Sequence, residues 1–470
     1  MNQLHYNSTR RGFMRSLAAG SSLMPGLINQ LVAADAGSVV DPLAPRAPQY
    51  TPKAKNVIFL YMSGGVSHID SWDPKPRLFA DHGKEMTVDN PEGKALNAYT
   101  QGFVKRPNWE FKKRGQCGTE VSELFPHMAE CVDDMALIRS MHTSHQNHYN
   151  ATLGIHTGSF TFARPSMGAW VSYGLGTENQ NLPSFVVLAP HTPYAGAQVW
   201  ASDFLPACHQ GTRVIPGEEP IANLIRRGRS EQLQQLELGA LQAWNQEHLA
   251  ARAGDPLLAA RLRSFETAFG MQMEAPEALD FTNESDATLA MYGLERGQTT
   301  GYGWQCLAAR RLVERGVRFV ELIDSGSSAN WDAHGNMAEH GPRAKETDLP
   351  VAGLLRDLKM RGMLDETLVV WTTEFGRTPY SNNPDNGGRE HHSWAFSSWL
   401  AGAGVKPGIV HGETDEFGLR VTKDGVHVHD LHATILHLLG MNHEKLTYRH
   451  AGRDFRLTDV EGNIVTEILA

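Results

Sequence analysis

The chain has 470 residues, 41% of them hydrophobic, enough to bury a sizeable core as one large domain or two moderate ones. Its formal net charge of −9 argues against a general nucleic-acid binder. Beyond the N-terminal segment no apolar run is long enough to span a membrane.

The N-terminus carries Ser8-Thr9-Arg10-Arg11-Gly12-Phe13-Met14, a twin-arginine pattern. A weakly apolar stretch follows from Ser16 to Ala34, then a small-x-small cleavage pattern at Ala34-Asp35-Ala36. Residues 1–36 therefore read as a Tat signal peptide, which sends the protein, already folded, to the periplasm or the extracellular space. Residues 37–53 are rich in Pro and Ala and read as a linker, leaving 54–470 as the working domain. Cys117, Cys131, Cys208 and Cys306 form no CxxC pair, which argues against a cysteine zinc site. An oxidising compartment permits a Cys117–Cys131 disulfide, although spacing does not establish one.

Five apolar runs read as buried parallel strands: 55–62, 135–140, 184–188, 316–322 and 367–372. Helical patterns fall near 303–315 and 347–361, before the fourth and fifth runs, and again at 430–440. This alternation predicts an α/β fold, a doubly wound, mostly parallel sheet flanked by helices. Residues 215–300, rich in Leu, Gln, Glu, Ala and Arg, read as a helical insertion.

Such sheets place ligands at the carboxyl ends of their strands. The candidate polar residues sit there. Ser63-Gly64-Gly65 with His68 and Asp70 follows the first strand, and its glycines allow close backbone approach to an anion. His142, His145 and His148 follow the second. Asp332 and His334 follow the fourth; two residues apart on extended chain, they face the same side and one cation. Glu374 follows the fifth, as a further ligand, with Arg377 to hold an anionic oxyacid group. In Gly387-Gly388-Arg389-Glu390-His391-His392, one histidine is expected to ligate and the other to support, with Arg389 a second anion holder. The 22 histidines bunch at 142–156, 391–392 and 427–450, which adds to the expectation of a metal protein. Carboxylate and imidazole donors together suit one or two divalent ions, among Zn, Ca, Mg and Mn. They point to metal-assisted hydrolysis.

Several segments resemble a known family: 62–70, Arg164-Pro165-Ser166-Met167-Gly168, 182–186, 331–334, Thr373 to Pro379, 388–392 and Tyr448 to Phe455. Together they resemble domain-of-unknown-function family 1501 (DUF1501), within the alkaline phosphatase/sulfatase superfamily. That resemblance implies a metal site fed by several loops, in which Asp332 and His334 match the Asp…His metal pair and His391 or His392 the last histidine ligand. Glu374 stands where an Asp-His pair is usual. Ser63 stands near the usual first Asp, so His68 or Asp70 would take its place. No cysteine has the Cys-x-Pro-x-Arg context of a formylglycine sulfatase. The segment 149–158 resembles the sulfatase helix ending in Thr-Gly, with His148 to Asn150 where the nucleophile would fall. Thr143 and Ser144 are the nearest hydroxyls. Either one attacks, or metal-activated water does, or the site does not catalyse. The expected partner is a small anionic ester or a sulfated or phosphorylated glycan. The expected activity is hydrolysis of phosphate or sulfate esters, the alternative a non-catalytic metal- or ligand-binding protein on the same fold.

Overall fold

The computed structural model describes residues 41–88, 101–222, 224, 230–252, 255–383, 385 and 387–470. The proposed signal peptide and the first four residues of the linker, 37–40, lie outside the described residues. The chain divides into two compact units, one comprising Leu43–Arg226 with Phe265–Ala470 and the other including Arg227–Ser264.

The larger unit is built on a nine-stranded sheet. Its strands in chain order are β1 (Asn56–Tyr61), β2 (Met135–His142), β3 (Phe185–Leu188), β4 (Thr212–Val214), β5 (Phe319–Ile323), β6 (Thr367–Thr372), β7 (Phe396–Ala401), β8 (Ile409–His411) and β9 (Val426–His427). They lie in the order β8-β2-β7-β6-β1-β5-β3-β4, with β9 also paired to β2. β1 pairs in parallel with both β5 and β6, and β3 with β4 and β5. Only β7 runs against its neighbours β6 and β2. The fold is thus α/β around a mostly parallel sheet.

Period-2 alternation divides the apolar strands between two cores. Ile58 and Leu60 of β1, with Val369 and Trp371 of β6, face one core; Val57, Phe59, Leu368 and Val370 face the other. Helices cover both. The main helices in chain order are α1 (His148–Thr157), α2 (Met167–Leu175), α3 (Glu231–Ala250), α4 (Pro256–Leu279), α5 (Tyr302–Glu314), α6 (His340–Met360) and α7 (Val428–Leu438). Leu307 and Leu312 of α5 and Leu354 and Leu358 of α6 join the first core. Leu153 of α1, Trp170 of α2 and Ile435 of α7 join the second. In the smaller unit, α3 is capped by Ser230, whose side chain accepts the Leu233 N–H.

All four cysteines are free, so Cys117 and Cys131 do not pair. Among the described residues, no helix is long and apolar enough to cross a membrane.

Candidate metal centre

The loops after β1, β2, β5 and β6 leave the sheet at its carboxyl edge. Two glycines let them close on one another. Gly64 has φ +112°, and a Cβ there would lie 2.7 Å from Trp331 N. A Cβ on Gly388 would collide with the His334 carbonyl. Any side chain at either position would push apart the segments that meet at Asp332.

His148 opens α1. Asn147 caps the helix, its side chain accepting the Tyr149 N–H at 3.0 Å, so His142, His145 and His148 do not share a helical face. His148 Nε2 lies 3.2 Å from Asp332 Oδ2. His334 Nε2 and His391 Nε2 lie 2.9 and 3.2 Å from Asp332 Oδ1. The two imidazole nitrogens are themselves 2.9 Å apart. His148, Asp332 and His391 each offer one donor atom within 4.8 Å of the others.

The second nitrogen of every ring is held. His148 Nδ1 is bonded to Glu374 Oε1 at 2.7 Å, His334 Nδ1 to Glu390 Oε2 at 2.8 Å, and His391 Nδ1 to the Gln146 carbonyl at 2.8 Å. Each Nδ1 faces an acceptor and so carries a proton, and each Nε2 is turned toward Asp332. This is how proteins orient metal-binding imidazoles. Glu374 is itself fixed: the Gly64 N–H and the Tyr61 hydroxyl donate to it, at 2.9 and 3.0 Å.

The electrostatics follow from this crowding. Burial would raise the Asp332 pKa, but the imidazoles of His148, His334 and His391 and the Arg377 guanidinium around it hold it far below the usual carboxylate range. His334 is raised to about 9, because Asp332 and Glu390 flank its two nitrogens. Burial works against charge on His148, yet its bonds to Asp332 and Glu374 raise its pKa overall. Burial, the largest influence, lowers His391, although Asp332 opposes it.

Arg377 is fully buried and turned inward. It donates to the Gly65 carbonyl at 2.9 Å, to the Gly64 carbonyl, and to Asp332 Oδ1 at 2.6 Å. It thus ties the β1 loop to Asp332.

The other residues singled out in the sequence lie in separate contacts. Asp70 and Arg389 form a fully buried ion pair at 2.8 Å, and Arg389 also donates to the Thr378 carbonyl at 3.0 Å. His68 Nε2 is bonded to the Gly418 carbonyl at 2.8 Å, and His392 Nε2 to the Leu419 carbonyl at 2.7 Å. The buried Ser63 hydroxyl donates to the Gly326 carbonyl at 3.2 Å. Ser144 Oγ is 3.0 Å from His427 Nε2, and Thr143 lines the same pocket as His427. Glu374 stands behind His148, one hydrogen bond back from Asp332.

Sequence reasoning assigned no role to three further residues. Glu390 lies inside a quoted motif but was overshadowed by its histidines. Tyr194 stacks on His148 at 4.1 Å between ring centroids, in a stretch with no periodic signal. Asp324, at the end of β5, accepts from Ser63 N–H and the Trp331 indole at 2.9 and 2.6 Å, and burial pushes its pKa up to about 6.

No curated protein matches this sequence. Among solved structures, the chain is similar to the lipoteichoic acid synthase LtaP from Listeria monocytogenes at 10% identity and TM-score 0.36, covering 89% of this chain and 79% of that one. It is similar to alkaline phosphatase from the Antarctic bacterium TAB5 at 12% identity and TM-score 0.34, covering 84% and 99%. A third is the PsFucS1 sulfatase from Pseudoalteromonas sp., at 13% identity and TM-score 0.36, covering 90% and 72%. Residues 54–469 match the family described as protein of unknown function (DUF1501), and the chain belongs to that family.

Proposed function

We propose that the protein is an exported, metal-dependent hydrolase of phosphate or sulfate esters, acting on a small anionic ester or a sulfated or phosphorylated glycan. The observation that carries this reading is the convergence of three Nε2 atoms on Asp332 while an acceptor holds each Nδ1. The donor chemistry fits a divalent ion. His148 Nε2 is buried and faces Asp332 Oδ2 at 3.2 Å. An imidazole-rich set with one carboxylate favours zinc over calcium or magnesium, which take oxygen ligands. His148, Asp332, His334 and His391 would hold it.

A divalent ion there would polarise an ester oxygen and lower the pKa of bound water toward about 7. The chain's own residues do the rest. Glu374 and Glu390 fix the tautomers of His148 and His334. Arg377 orients Asp332 and offsets its charge. Tyr194 covers the His148 ring. Export rests on Arg10-Arg11 and the segment that follows them.

One observation favours the non-catalytic alternative. The hydroxyls of Ser63 and Ser144 bond elsewhere, to Gly326 and His427, and supply no side-chain nucleophile to the centre. Elemental analysis of the purified protein, with a panel of phosphate and sulfate esters, separates the readings. Bound divalent ion with turnover is expected. Bound ion without turnover leaves the binding protein, and neither ion nor turnover with any divalent metal removes both.

A further inference from the structure

A concavity of about 610 Å³ shares two chain segments with the metal centre. Its lining includes Thr143, Ser144, Ser393, Trp394, Arg420 and His427. The loop that starts at Thr143 ends on His148, and the segment that carries His391 continues into Ser393. Thr143 N–H donates to the Ser393 carbonyl at 2.9 Å, while His391 Nδ1 bonds Gln146 of the same loop.

The hydrogen-bond polarity of this pocket is set by His427. Its Nδ1 accepts the His429 N–H at 3.3 Å, at the start of α7. Burial lowers its pKa to about 4, so the ring is neutral near pH 7. A neutral ring that accepts at Nδ1 carries its proton on Nε2. That proton goes to Ser144 Oγ, 3.0 Å away. His427 therefore cannot withdraw the Ser144 proton, and the Ser144 hydroxyl keeps its own hydrogen to donate. Thr143 is 6% exposed, and its Oγ1 is buried without a hydrogen-bond partner. The Arg420 guanidinium lies 4.6 Å over the Trp394 ring and adds positive charge. Among the described residues lining the pocket there is no carboxylate. Two hydroxyl donors and a guanidinium suit an acceptor-rich, negatively charged group, and Asp430, behind the lining, is engaged by the His427 backbone N–H at 2.8 Å.

We propose that this pocket is a subsite for a second oxyanion of the substrate, a sulfate or phosphate group, so that the preferred substrate of the metal centre carries two such groups. The substrate clause rests on the hydrolase reading; the anion-binding clause does not. An oxyanion here satisfies the Thr143 hydroxyl, which the protein alone leaves unpaired, and accepts from Ser144. Removing an unpaired buried hydroxyl costs no native bond, so Thr143→Val is expected to leave thermal stability unchanged or higher.

The test is calorimetric titration of the full-length chain with inorganic sulfate and, separately, inorganic phosphate. In Thr143→Val/Ser144→Ala, affinity for the preferred anion is expected to fall by about tenfold or more, with bound metal unchanged. In His334→Ala, and in chelator-treated wild type, anion affinity is expected to persist. Equal affinity in the double variant would overturn the subsite. So would anion binding that disappears with the metal. Sulfate against phosphate in the titration identifies the group. If the protein turns over a disulfated and a monosulfated form of one sugar, the double variant raises KM for the first only. If it turns over neither, the hydrolase reading fails while the titrations still decide the subsite.

Discussion

The region around Asp332 and the region around Asp70 share the loop after β1 and the segment 387–392, and are built from the same residue types. Each has a carboxylate, an arginine and histidines, and each arginine is fully buried. Around Asp332 the imidazoles spend Nδ1 on acceptors and turn Nε2 inward. Around Asp70, His68 and His392 spend Nε2 on backbone carbonyls, and Arg389 neutralises the carboxylate directly. Both carboxylates are paired with a buried arginine, but only Asp332 also has three imidazole nitrogens turned toward it, the set that the proposed ion would use. The Asp70 arrangement is closed, and holds loops together. Adjacent residues can fall on opposite sides of this divide, as His391 and His392 do.

The largest expected effect breaks the first region. Asp332→Ala should take bound divalent ion from stoichiometric to undetectable by plasma mass spectrometry, because three imidazoles lose their common carboxylate. His392→Gln should retain the ion. Equal metal loss in both variants would erase the distinction between the regions.

Next comes the second region. Arg389→Met leaves Asp70 unpaired where both side chains are 0% exposed, and should cost about 3–5 kcal/mol in urea unfolding. Pairing it with Asp70→Asn should recover part of the loss, since the uncompensated charge is then gone. Metal content of the folded fraction should be unchanged. A smaller effect returns to the first region: Glu374→Gln should weaken divalent-ion affinity by about 10–100-fold, by releasing His148 Nδ1. Competition with a calibrated chelator reads it. Unchanged affinity would mean that packing against Tyr194, rather than Glu374, orients the ring.

These contrasts mark what the sequence could carry. β1, β2, β3, β5 and β6 were legible because strands buried on both faces are largely continuous apolar runs. β7 was not. Its Ser397 and Ser398 interrupt the run, and Ser398 is instead satisfied by the Thr372 hydroxyl at 2.7 Å. Asp332 and His334 were legible as a pair two residues apart at a strand end. Glu374 was legible as a strand-end carboxylate, but its place behind His148 depends on a ring nitrogen, which residue type does not specify. Arg377 read as an anion holder because arginine forks suit oxyacids, and its inward turn follows from the Gly64 and Gly65 carbonyls that glycine brings close. His148 was one of three evenly spaced histidines, and only the Asn147 cap sets it apart from the other two.

The smallest effect is read as pH dependence, and it belongs to the closed region. Burial lowers the His68 pKa from 6.5 to about 4. His340, whose Nε2 accepts the Ser67 N–H at 3.1 Å, is lowered to about 3, again by burial first. A histidine with a folded pKa below its unfolded one binds fewer protons in the native state. Its contribution is therefore fully present above pH 6.5 and is lost as pH falls toward 4 and then 3. Within that window each such residue adds a slope of at most about 1.4 kcal/mol per pH unit. His68→Gln should flatten the acid limb of unfolding free energy against pH by about that amount between pH 6 and 5, even where it lowers stability at pH 7. A parallel curve, displaced but with the wild-type slope, would show that His68 is already protonated in the native state and that its bond to the Gly418 carbonyl is the bond of an imidazolium.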